Sequence, residues 1–226
     1  KRTKLAPNIG VYCETPLKSD LNKSVHVYNA IGYALDDIQQ PDYIFMKSLS
    51  PGIVKETFKE LYTSIFQRIY RCARSKGMER VVMSLVGANA ANFAKLYSER
   101  TNGKPDPPAL LNNVWIPAFL SEYQESRKVD KRSGRQQLKT VFMGLKDKEL
   151  GAINKLFRSK GVKEEFIDVG FFPQNLDTMG DVSKTLFVNA WDPWSIVGNG
   201  NERDDSLDGW IGRSTFASIL CLPPTN

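Results

Sequence analysis

The stretch RVVMSLVG, Arg80 to Gly87, is a nearly unbroken apolar run of strand length. A strand with one face in water alternates apolar and polar side chains, so a run without alternation belongs where both faces are covered. The residues before it supply one cover. In VKETFKELYTSIFQRIYRCARSKG, the spacing puts Val54, Phe58, Leu61, Tyr62, Ile65, Ile69, Cys72 and Ala73 on one helical face. Lys55, Lys59, Gln67, Arg68 and Arg71 take the other face, and Gly77 supplies the stop. A helix feeding a doubly covered strand is a building unit of a layered α/β sheet.

The same grammar recurs along the chain. VHVYNAIG (25–32), YIFMKSL (43–49), TVFMGL (140–145), FIDVGFF (166–172) and TLFVNA (185–190) read as strands. Helices are expected after GANAANF, from Leu110 to about Gln124, from Lys146 to Lys160 with Gly161 as the stop, and from Leu207 to Leu220 behind an N-cap at Ser206. The expected fold class is therefore α/β, three layers with a parallel or mixed central sheet between helices, in one domain spanning 1–226.

Composition narrows the chemistry. A single histidine, His26, removes most zinc sites, Ser-His-Asp triads and Cys-His dyads, and it reads as a satisfied sheet residue. Cys13, Cys72 and Cys221 are odd in number, widely spaced and without metal spacing, as expected of free thiols in a reducing, cytoplasmic compartment. No apolar run reaches bilayer length and no signal-peptide segment opens the chain, so a soluble protein without a membrane partner is expected. Net charge of +6 favours anionic partners. Its one dense basic run, RKVDKRSGRQQLK (127–139), reads as a solvated loop, and nucleic acid is not the expected partner because no aromatic interleaving accompanies it. Acid/base work would fall to carboxylates.

Ligands of open α/β sheets bind at the carboxyl ends of the strands, near helix N-termini. Two loops qualify. The first, Gly87-Ala88-Asn89-Ala90-Ala91-Asn92-Phe93, has side chains small enough for backbone N–H groups to approach an anion. Phe93 would stack on a sugar or base, or else pack in the core. The second follows TLFVNA and contains Gly198-Asn199-Gly200, whose glycines allow close backbone approach. Around it lie Asp192, Asp204, Asp205 and Asp208, with Trp191, Trp194 and Trp210. Clustered carboxylates repel unless solvated, paired or metal-bound, and a cleft raises some of their pKa values toward general-base range. A solvated acidic turn and a calcium loop are the alternatives, although D-D-x-x-D-G does not have EF-hand spacing.

The run Val188-Asn189-Ala190-Trp191-Asp192, then Gly198-Asn199-Gly200, then Leu207-Asp208-Gly209-Trp210-Ile211 resembles the macrodomain, the α/β fold that binds ADP-ribose. RVVMSLVGANAANF resembles the strand and loop that wrap the diphosphate there, FMKSLSP its apolar strand, and TVFMGLKDKELGAINKLFRSKG its terminal strand and helix. The segment that opens an ordinary macrodomain comes last here, which implies a circularly permuted order. The N-A-x-D, G-N-G-N and S-L-D-G run is similar to the MavL group of Legionella effectors, which take ADP-ribose from an arginine of ubiquitin. The resemblance implies an ADP-ribosyl hydrolase acting on ADP-ribosylated protein, in the host cytosol if it is a secreted bacterial effector. Asp192 and Asp208 are its expected catalytic carboxylates and Asp205 the substitute. The expected ligand contacts are Asn189, Gly198, Asn199, Gly200, Gly87, Ala88, Asn89, Ala90 and Phe93, with no metal and no cofactor. A non-catalytic ADP-ribose reader and a metal-dependent nucleotide or phosphate hydrolase are the rival expectations.

Overall fold

A computed structural model describes residues 10–17, 20–31, 33, 39, 41–86, 91–104, 106–143, 145, 147–163, 166–167 and 181–191. It is an α/β structure. Strands β1 (Gly10–Leu17), β2 (Asp20–Ile31), β3 (Arg80–Met83), β4 (Lys139–Phe142) and β5 (Thr185–Trp191) form one sheet in the order β1-β2-β5-β3-β4. β2, β5, β3 and β4 run parallel to their neighbours, and β1 is antiparallel to β2 at the edge.

The helices are α1 (Pro41–Ser48), α2 (Pro51–Ser75), α3 (Ala91–Asn102), α4 (Pro107–Leu110), α5 (Ile116–Arg132) and α6 (Asp147–Ser159). The face expected for α2 is the face it buries, with Val54, Phe58, Leu61, Tyr62, Ile65, Ile69 and Ala73 inside and Cys72 a half-buried free thiol. Its stop is as expected: Gly77 adopts φ +67°, and Met78 N–H caps the Ala73 carbonyl at 2.9 Å. Gly161 ends α6 in the same way at φ +76°.

Both faces of the sheet are buried. Tyr28, Ala30, Val81, Met83, Phe142, Leu186 and Val188 join the large cluster beneath α2 and α5, while Val25, Val27, Val82 and Phe187 alternate with them, each no more than 1% exposed. The centre of the main core is aromatic. Phe119 lies within 5.3–6.0 Å, ring centre to ring centre, of Phe66, Trp115, Tyr123, Phe142, Phe157 and Phe166.

Several sequence expectations are corrected. Tyr43–Leu49, read as a strand, forms helix α1 over Pro41–Ser48. Pro41 at its first position, Asp42 in the first turn and Lys47 in the last suit a helix, and Tyr43 and Met46 are its buried pair, three residues apart. The aromatic and β-branched composition was a weaker cue than that spacing. The stretch 127–139 is not a loop throughout: Arg127 to Arg132 are the last turns of α5. Asp130 is 1% exposed, faces Arg74 Nη1 at 3.8 Å and accepts the Leu138 N–H at 3.3 Å.

The helix expected over 110–124 spans α4, a π-helical turn at Leu111–Trp115 and α5. Pro117, two residues after that turn, lacks the N–H an α-helical ladder would use. β3 and β4 are shorter than expected, β2 is longer, and β1 had no sequence signal strong enough to read. Of 166–172, Phe166 and Ile167 are described. They lie in no regular element, yet Ile167 accepts the Phe142 N–H at 2.9 Å. The Asn154 side chain makes both hydrogen bonds of a peptide to Phe166, at 2.9 and 3.0 Å.

Candidate functional site

The four parallel strands all end at one edge of the sheet, and the residues expected to carry chemistry follow two of them. β3 and β5 are neighbours in register, Val82 opposite Phe187 and Met83 opposite Val188. GANAANF follows β3 and GNGN follows β5 in the chain, so two segments far apart in the sequence come after neighbouring strands. Asn189 lies two residues before the end of strand β5, and the parallel register pairs it with Asn29 of β2. Asn29 is fully buried on the face opposite the α2 core.

Asn29 was missed in the sequence reading. Its signal was present, since Tyr28-Asn29-Ala30 repeats the N-A dipeptide of Val188-Asn189-Ala190 at the same distance from the strand end.

The entry to the first loop is strained. Val86, 2% exposed, has φ +21°, a backbone region that β-branched residues avoid. Phe93 sits in the first turn of α3, half-buried, with its ring 5.8 Å from Phe58 at 61°. It thus packs on the core, with part of its surface left open. Gly87, Ala88, Asn89, Ala90, Asp192, Gly198, Asn199, Gly200, Asp204, Asp205 and Asp208 lie outside the described residues, as do Ser206 and the helix expected at 207–220.

His26 occupies the middle of β2, away from this edge. Its Nδ1 is 2.6 Å from the Tyr12 hydroxyl, and that hydroxyl also donates to Glu14 at 3.2 Å. Burial pushes the imidazole pKa below its ordinary value, against the opposing pull of the Glu14 charge. Glu14 is lowered in turn, first by the Ser24 hydroxyl. This is a satisfied cross-strand cluster.

No protein-family model, curated protein or solved structure matches the chain. Among the described residues no helix is long and apolar enough to cross a membrane.

Proposed function

We propose that the chain is an ADP-ribosyl hydrolase of macrodomain-like architecture with permuted strand order. It binds ADP-ribose and removes it from ADP-ribosylated protein, arginine-linked ADP-ribose on ubiquitin being the substrate. The observation that supports this reading is the pairing of β3 with β5, the two strands that the small-residue segments follow in the chain. A diphosphate is long enough to need donors from two loops, and backbone N–H groups beside a helix N-terminus supply them without metal or histidine. Asn29 and Asn189 are paired in the register of adjoining parallel strands, one of them on the strand that the glycine segment follows.

Cleavage of the glycosidic C–N bond develops positive charge on the anomeric carbon of the ribose. A carboxylate beside that carbon stabilises the charge, and a second removes a proton from the attacking water. The water oxygen bonds to the anomeric carbon as the bond to nitrogen breaks, and the guanidine leaves with a proton regained. Asp192 and Asp208 take these two roles, with Asp205 as the alternative for either.

Calorimetry with ADP-ribose, followed by release of free ADP-ribose from ADP-ribosylated ubiquitin on the same sample, tests the reading. Asp208→Ala is expected to lower release by roughly 10²–10⁴-fold while ADP-ribose still binds. Binding with every linkage left intact would make the protein a reader. Activity lost to a chelator would make it a metal-dependent hydrolase.

A further inference from the structure

His26, the chain's single histidine, stands on β2 directly opposite Glu14 of the edge strand β1, with Leu186 of β5 opposite on its other side. It is 8% exposed. Its Nδ1 meets the Tyr12 hydroxyl of β1 at 2.6 Å, and the ring hydrogen-bonds to the backbone of Ser183, in the short 3₁₀ turn Val182–Lys184 that leads into β5. One imidazole thus ties the edge strand to the approach to the middle of the sheet.

The charged groups that face the ring come from three elements. Glu14 of β1 favours a positive ring, whereas Lys76 at the end of α2 and Lys184 in the turn before β5 oppose it. Lys76 Nζ also lies 4.3 Å from the centre of the Tyr12 ring, so a cation already stands beside the phenol that His26 touches. All three charges are exposed and screened by water, which leaves burial to decide. A ring removed from water resists protonation, and two lysines against one carboxylate add to that resistance.

The element on which such a charge acts is β1. Among the described strands it has one neighbour, and its pairing loses register between Pro16 and Leu17. β5 and β3 are each paired on both sides. Opening β1 breaks one ladder, whereas opening either inner strand breaks two, so the edge yields first.

We propose that His26 is a proton-operated latch on the edge strand: the neutral ring holds β1 closed, and protonation favours local opening of β1 with the rest of the sheet intact. Opening returns the ring to water, where it takes up a proton at its ordinary affinity, so acid draws the equilibrium toward the open strand as pH falls through about 6.5. Glu14, its pKa lowered, gives up its charge only further down, in the carboxylate range. The interval from about pH 6.5 to about pH 5 therefore belongs to His26. The latch is independent of the ADP-ribose reading.

Native-state hydrogen exchange of the full chain at about pH 7.5 and about pH 5, corrected for the intrinsic pH dependence of exchange, tests the latch. The β1 amides should lose protection several-fold at the lower pH, while those of Val81 to Met83 keep theirs. With one histidine in the chain, NMR reads the ring's titration directly, and its midpoint should lie below about 6.5. Lys76→Gln removes one opposing cation, so the midpoint should rise and the loss of protection shrink. His26→Gln keeps a side chain that both donates and accepts but does not titrate, and its β1 protection should be the same at the two pH values. The latch is overturned by a midpoint at or above the ordinary value, by parent β1 protection equal at both pH values, or by a loss as large in His26→Gln. Equal loss in β1 and in Val81 to Met83 would overturn it too, since that is global acid unfolding.

Discussion

At the amino ends of β3 and β4, polar contacts tie the elements down: Asp130 faces Arg74 at 3.8 Å, Arg74 donates to the Ser126 hydroxyl at 2.6 Å, and the Glu79 backbone carbonyl accepts the Lys139 N–H at 3.0 Å. At the carboxyl ends, Asn29 lies beside Asn189 and Val86 carries an unfavourable φ of +21°. The polar groups at the amino end tie neighbouring elements together, whereas the backbone strain at Val86 is a local cost to stability. Substitutions on either side should therefore differ in what they damage.

The largest stability effect is expected in the core that both ends share. Phe119→Ala removes a ring in contact with six others and should cost about 3–5 kcal/mol, read from denaturant midpoints. Next comes the amino end. Asp130→Ala leaves the Arg74 guanidinium, whose side chain is 18% exposed, without its carboxylate, and about 3 kcal/mol should be lost with ADP-ribose affinity unchanged.

Two buried asparagines sharpen the contrast. Asn154→Ala strands the N–H and carbonyl of Phe166 and should cost roughly 1–3 kcal/mol without altering ADP-ribose affinity. Asn29→Ala should instead lower that affinity about tenfold beyond whatever stability it costs. Equal affinity in both variants would erase the distinction between the two ends.

The smallest effect belongs to His26. Its folded pKa lies below the ordinary value, so the unfolded chain takes up the proton first, and stability should fall as pH drops from about 6.5. Glu14, also lowered, acts in the same direction but only in the carboxylate range further down. His26→Gln should flatten Tm between pH 6.5 and 5, an interval above the ordinary Glu titration. A slope unchanged in this variant would assign the acid sensitivity elsewhere.

Legibility in the sequence followed the same physical lines. α2 and α6 were readable because each has one apolar stripe and a glycine stop. α1 was misread because Ile44 and Phe45 suggested a strand, yet they are 57% and 53% exposed and contribute no burial pattern. β1 is an edge strand containing Pro16, and its antiparallel pairing to β2 is irregular between Pro16 and Leu17, which blurs any alternation. At Gly10, an added Cβ would run into the Tyr28 ring, a constraint that appears only once the strands are paired. The candidate loops were legible by residue type, since glycines and small residues after an apolar strand leave the backbone open to close approach. That they follow neighbouring strands was not, because it depends on β5, last of the described strands, inserting between β2 and β3. Asn29 was lost for the same cause: one N-A dipeptide means little until its strand is set against another.

The most direct measurement is release of free ADP-ribose from arginine-ADP-ribosylated ubiquitin by the purified chain, followed over time with enzyme well below substrate. Many turnovers for each molecule in the parent, and none above background in Asp208→Ala, is the predicted result. A parent that binds ADP-ribose yet leaves the modified ubiquitin intact would contradict the hydrolase reading, and one that binds no ADP-ribose would contradict the pocket itself.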